Sequence, residues 1–155
     1  MKTIIIILSV ALFCLSSLAC DCKWGGDFFT ISNESDLVVK VRVINKIKGS
    51  SGFNTKMEVE VLECFKGDET RKVITILGDN GAECRPYIDY FNLGDTYYLS
   101  LYNFGDEYEQ MNCGEMYLKL HDSRVINEMG VRKDLPQVGE MSSKAFEIKL
   151  KENLL

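Results

Sequence analysis

Histidine is almost missing from this 155-residue chain: His121 stands alone. That excludes a multi-histidine zinc site. A Ser-His-Asp arrangement needs only one histidine, but no serine here sits in a G-x-S-x-G elbow. His121, beside Asp122 just past the fifth expected strand, reads as an ordinary loop residue. A phosphate-cradling loop is missing too, because Gly25-Gly26 lacks the lysine and the preceding strand that such a loop needs. Glu58 and Glu60 share a strand face, which reads as a solvated face rather than a catalytic carboxylate pair. After residue 19 there is no internal repeat, no low-complexity run and no membrane-spanning segment. These absences point away from an enzyme and call for no cofactor.

What is present begins with an export pattern. Residues 1–19 have a basic start at Lys2, an apolar run from Ile4 to Leu15, and small residues Ser17 and Ala19 at positions −3 and −1. This is the pattern of a cleaved secretory signal, and the run is shorter than the roughly 20 residues that span a bilayer. Cleavage after Ala19 makes Cys20 the mature N-terminus. Residues 20–155 are then enough for one domain with a real core. Without Lys2, 17 basic residues face 23 acidic ones, a net charge of −6. An acidic surface argues against nucleic acid and anionic membrane as partners.

Five cysteines follow the signal: Cys20, Cys22, Cys64, Cys84 and Cys113. An odd count leaves at least one thiol unpaired or modified. Four thiolates also suit tetrahedral zinc, but an oxidising compartment favours disulfides. A redox role for Cys20-Asp21-Cys22 lacks a surrounding βαβ pattern.

The middle of the chain reads as five strands. Residues 37–47 alternate, with Val39, Val41, Val43 and Ile47 on one face and Lys40, Arg42 and Lys46 on the other. Residues 55–65 alternate again, with Met57, Val59 and Val61 inward; Leu62 and Cys64 then break the phase, which suggests a bulge. Residues 72–77, 95–102 and 111–120 are the remaining strands, with Tyr97, Leu99 and Leu101 sharing a face of the fourth, and Met116, Leu118 and Leu120 one side of the fifth. Residues 23–35 read as a loop with room for one short helical turn, 85–93 as irregular, and 103–110 as a polar acidic loop. Asn33-Glu34-Ser35 reads as a surface turn, or as a glycosylation sequon in a eukaryotic host. Residues 142–154 predict an amphipathic helix capped by Ser142 or Ser143, with a stripe of Phe146, Leu150 and Leu154. The stripe suits packing on the sheet better than binding a partner. Five strands and a helix predict a mainly β protein, a small barrel or a sandwich. The expected division is a signal at 1–19, a barrel domain at 20–120, and an extension at 121–155 carrying the helix.

Several features together resemble one family. They are Cys20-Asp21-Cys22 behind the signal, the strand at 38–43, the turn Phe65-Lys66-Gly67, Cys84 after strand three, Gly94 with Tyr97-Tyr98-Leu99, and Cys113 in strand five. In order and spacing they are similar to the N-terminal domain of the tissue inhibitors of metalloproteinases, within the wider netrin-like group. The resemblance covers about 20–120. It implies a five-stranded OB-fold barrel with flanking helix, and disulfides Cys20–Cys84 and Cys22–Cys113. Each bridge closes a long loop and contributes about 4 kcal/mol on the chain-entropy model. It also implies a mechanism: the amine and carbonyl of Cys20 chelate the catalytic zinc of an extracellular metalloproteinase, and Asp21 enters its specificity pocket. Ala82, Glu83 and Cys84 flank that contact. The protein would act as a secreted monomer holding no metal of its own.

Three residue-level departures accompany the resemblance. Asp21 stands where those inhibitors carry Ser or Thr. Their third disulfide has no counterpart, so Cys64 is left over, expected as a buried thiol in strand two. Their cysteine-rich second domain is missing, since 121–155 contains no cysteine. Leu18-Ala19-Cys20 also resembles a bacterial lipobox, with Ser17 where Leu is usual. A lipidated Cys20 forms no disulfide and chelates no zinc; the chain would then be a membrane-anchored, non-inhibitory module for another protein partner.

Overall fold

In the computed structural model the described residues are 23–50, 52–127 and 138–155. The segment 1–19 expected to be a signal, the tripeptide Cys20-Asp21-Cys22 and Pro136 lie outside them. Two long strands begin the barrel, β1 (Leu37–Lys48) and β2 (Asn54–Lys66), paired antiparallel. Their apolar residues alternate, so one face of the hairpin buries Val39, Val41, Val43, Met57 and Val59. The pairing steps from Glu63 to Val61 and from Lys66 to Cys64, leaving Leu62 and Phe65 as extra residues in β2. Such bulges bend and twist a strand, and here they curl the hairpin toward closure.

The barrel continues through β3 (Val73–Leu77), a 3-10 turn at Ile88–Tyr90, β4 (Thr96–Phe104) and β5 (Glu107–Glu109). β3 pairs with β2 on one side and, in parallel, with β5 on the other; β5 pairs with β4, and β4 returns to β1. The closed order β1-β2-β3-β5-β4 is an OB-like barrel, and closure leaves no open sheet edge within it. Three further strands branch from β4: β6 (Tyr117–His121), β7 (Arg124–Ile126) and β8 (Met141–Ser142).

Four expectations need correction. The strand expected at 111–120 starts only at Tyr117, and it pairs beside β4 rather than closing the barrel. Residues 111–116 are held in irregular backbone, where Gly114 packs so tightly that a Cβ would stand 2.8 Å from Ile31 Cδ1. The closing strand instead lies in the acidic stretch 103–110. Residues 23–35 hold a helix, α1 (Phe28–Glu34), capped by Asp27, whose carboxylate accepts from Thr30 N at 2.9 Å. Ile47 is not inward but 36% exposed. The pairing skips Ile44, passing from Val43 to Asn45, and one extra residue sends every later side chain to the opposite face.

The predicted C-terminal helix is present as α2 (Ser143–Asn153), with the Ser142 hydroxyl accepting from Ala145 N at 3.3 Å. It packs on the outer barrel wall. Phe146 lies between Tyr98, Phe28 and Phe29, at ring-centre distances of 4.6, 5.6 and 5.4 Å. Glu147 accepts from Tyr98 Oη at 2.5 Å and Lys40 Nζ at 2.9 Å. Covered by helices outside and filled by the core inside, β4 is buried on both faces from Tyr97 to Leu101. Among the described residues no helix is long and apolar enough to cross a membrane.

Gly78, at the end of β3, fixes where the next loop starts. A Cβ there would come within 2.6 Å of Ile88 Cδ1 and 3.1 Å of Pro86 O. Gly78→Ala is expected to lose about 1–3 kcal/mol from overpacking, read by urea unfolding; a neutral result would mean that the Ile88 turn yields freely.

Candidate functional site

The loop after β3 is shaped by its own polar side chains. Asp79 Oδ1 accepts from Gly81 N at 2.9 Å, and Asn80 Oδ1 accepts from Ala82 N at 3.0 Å. Such Asx contacts fold a turn locally, and Gly81 supplies the left-handed φ of 92° that the bend needs. Gly81, Ala82 and Glu83 stand exposed, with Cys84 half-buried behind them.

Two other segments meet this loop. Asn112 N donates to Cys84 O at 2.9 Å, which joins it to the loop carrying Cys113. Gly25 N donates to Cys113 O at 2.6 Å, which lays the start of the described chain on that second loop. Gly25 must be glycine, because a Cβ would stand 2.8 Å from both Cys113 O and Ile31 Cδ1. Residues 23–26, 79–85 and 110–115 thus form one edge at one end of the barrel. Cys84 and Cys113 are both disulfide-bonded. Cys20, Asp21 and Cys22 lie outside the described residues. Ala82, Glu83 and Cys84 lie on one of these loops and Cys113 on the other, and the Asn112 N–Cys84 O bond joins the two.

Cys64 is a correction. It is free and exposed, its Sγ 3.3 Å from Lys66 O. β1 pairs with β2 at Cys64, opposite Val39, but on the other side β3 pairs with β2 only over Lys56–Glu60 and stops short of it. His121 is exposed at the tip of the β6–β7 turn, 3.3 Å from Asp122. Glu58 accepts from Asn45 Nδ2 at 2.8 Å and Glu60 pairs with Arg42 at 3.3 Å, so both are occupied across the outer face.

Two buried charges escaped the sequence reading. Arg85, only 8% exposed, sends Nε to Glu109 Oε2 at 2.8 Å and Nη1 to Glu83, with its guanidinium 5.1 Å from the Phe104 ring centre. Glu115 is fully buried. Its carboxylate accepts from Phe28 N at 2.9 Å, Val138 N at 2.8 Å and Asn127 Nδ2 at 2.5 Å. Burial pushes its pKa up and nearby Asp27 adds to that, while the backbone donors and Asn127 hold it back; the net shift is upward. No local motif marks either residue: Arg85's partner Glu109 is 24 residues away, and the partners of Glu115 are 12, 23 and 87 residues away. Among the described residues no group of three or more His, Cys, Asp or Glu side chains is placed to hold a metal ion. An open cavity of about 370 Å³ lies among Asp36, Gly67, Glu69, Asn103 and Tyr108, sharing no residue with the edge.

No protein-family model matches this chain, and no curated protein does.

Proposed function

We propose that this protein is a secreted inhibitor of an extracellular zinc metalloproteinase, acting through a mature N-terminus at Cys20. The observation that carries the reading is the meeting of the Cys84 and Cys113 loops at one barrel end, with Gly25 bonded to Cys113 O. Cys22 is three residues before Gly25 in the chain, a reach of about 10 Å. Bridges Cys20–Cys84 and Cys22–Cys113 would then staple the terminus beside Ala82 and Glu83. A catalytic zinc keeps one position open for water. A free α-amine held rigidly in front of it takes that position with little ordering cost. Asp21 makes an apolar specificity pocket unfavourable, because a carboxylate loses its water there. The role is binding, with no reaction catalysed and no cofactor.

The test uses mature 20–155 and a zinc endopeptidase cleaving a fluorogenic peptide. Inhibition at micromolar protein is expected, and acetylation of the Cys20 amine is expected to abolish it. Full protease activity at micromolar protein would end this reading. The lipid-anchored alternative, a module for another protein partner, is favoured only by Leu18-Ala19-Cys20. Intact mass separates the two: acyl chains on Cys20 rule out chelation, whereas a gain of about four hydrogens on reduction indicates two disulfides.

A further inference from the structure

We infer that Arg85 is the positioning residue of the edge, a buried cation that fixes the Glu83-Cys84 backbone to the barrel wall. The inference rests on the inhibitor reading for its purpose, though not for its geometry.

Glu109 belongs to β5, paired with Leu77 of β3 and Tyr102 of β4, so it is part of the closed wall. Arg85 takes Glu109 with two nitrogens, Nε at 2.8 Å and Nη2 at 2.5 Å, and reaches Glu83 with the third. Its backbone N donates to Glu83 O at 2.9 Å. Only the planar guanidinium offers this fork; a lysine is a single point charge. Glu109 is 19% exposed and Glu83 43% exposed, so the cation ties an inner carboxylate to an outer one. Glu83 Oε2 also accepts from Asn80 Nδ2 at 3.2 Å, which carries the tie back to the Asx turn. One side chain thereby sets the position of the exposed Gly81-Ala82-Glu83 tip and of Cys84 relative to the Cys113 loop. Removing it leaves Glu83 and Glu109 without the cation that joins them.

Amide hydrogen exchange by NMR tests this without a protease. The reporter is Asn112 N–H, which donates to Cys84 O; the β1–β2 ladder amides are the control. Arg85→Gln is expected to speed Asn112 exchange roughly tenfold to a hundredfold, the factor matching a lost hydrogen bond to a charged group, with ladder amides unchanged. Glu109→Gln, at a partly exposed site, is expected to act likewise should Arg85→Gln fold poorly. Combined, the two should exceed either alone by little, because both remove one clamp. Arg85→Lys is expected to restore only part of the protection. Unchanged Asn112 exchange in both variants, or equal acceleration of reporter and ladder, overturns the assignment. Wild-type inhibition is measured separately, so loss of the inhibitor reading leaves this result standing, and the reverse.

Discussion

Phe146→Ala is expected to cost about 3–5 kcal/mol, the range for removing a large aromatic from a packed core. α2 has eleven residues, too few to hold a helix in water without tertiary contacts. Its docking depends on Phe146, which is fully buried and touches one ring of β4 and two of α1. Truncation leaves a cavity between three aromatic rings and removes an edge-to-face contact with Tyr98 and tilted contacts with Phe28 and Phe29; an edge-to-face pair is worth about 0.5–1.5 kcal/mol beyond area. The neighbouring polar tie does not replace it. Glu147 reaches Lys40 and Tyr98 only while the helix is docked. Equilibrium urea unfolding measures the loss. Ile148→Ala, on the exposed side of the helix, is the control and should stay within about 0.5 kcal/mol. A Phe146→Ala loss below about 1 kcal/mol would mean that the helix is not held by this stripe.

Glu115→Ala is expected to cost about 3 kcal/mol, because it strips the partner from two buried backbone N–H groups at about 1–3 kcal/mol each. Those groups belong to Phe28, which begins α1, and to Val138. Glu115→Gln should behave differently. Its amide oxygen can accept from both N–H groups, and its NH₂ can pair with a flipped Asn127. The pH dependence follows from the sign of the shift. Burial raises the pKa, so the folded state holds the proton more tightly than the unfolded state. This group's stabilisation is therefore full below its ordinary value of 4.5 and is lost as pH rises through the raised folded value. Glu115→Gln is expected to be at least as stable as wild type at pH 7, and that margin should shrink to nothing below pH 4.5. Urea midpoints from pH 4 to 8 decide it. A Gln variant as damaged as the Ala variant would show that the ionised carboxylate is required.

Much of the barrel was legible because strand alternation is a local signal. Val39, Val41 and Val43, Met57 and Val59, and Tyr97, Leu99 and Leu101 all face the core as their spacing implies. The break in phase at Leu62 marked a real bulge. Ser142 capped the helix where a Ser before an apolar stripe should. The misses share another origin. β5 is three residues long, too short for a period to show, and its parallel partner in β3 is set by barrel closure. Ile47 turned outward because one residue bulged upstream of it. Cys64 lies exposed because β3 stops short of it.

The candidate edge divides in the same way. Cys84 and Cys113, with Ala82 and Glu83, entered as candidates only through the resemblance. Their proximity was not legible in the residues, because it depends on Asn112 reaching Cys84 O across two loops. Arg85 and Glu115 left no trace in the sequence: no local pattern separates a charged side chain that the fold buries from one that stays solvated. Sequence alone determined the strand periodicity and the capped helix, since each rests on neighbours within a few residues. The tertiary structure decided which strand closes the barrel, which charges are buried and where the cysteine loops meet. Those outcomes depend on contacts such as Phe28 to Glu115, 87 residues apart, whose strength comes from water excluded only once the chain is folded.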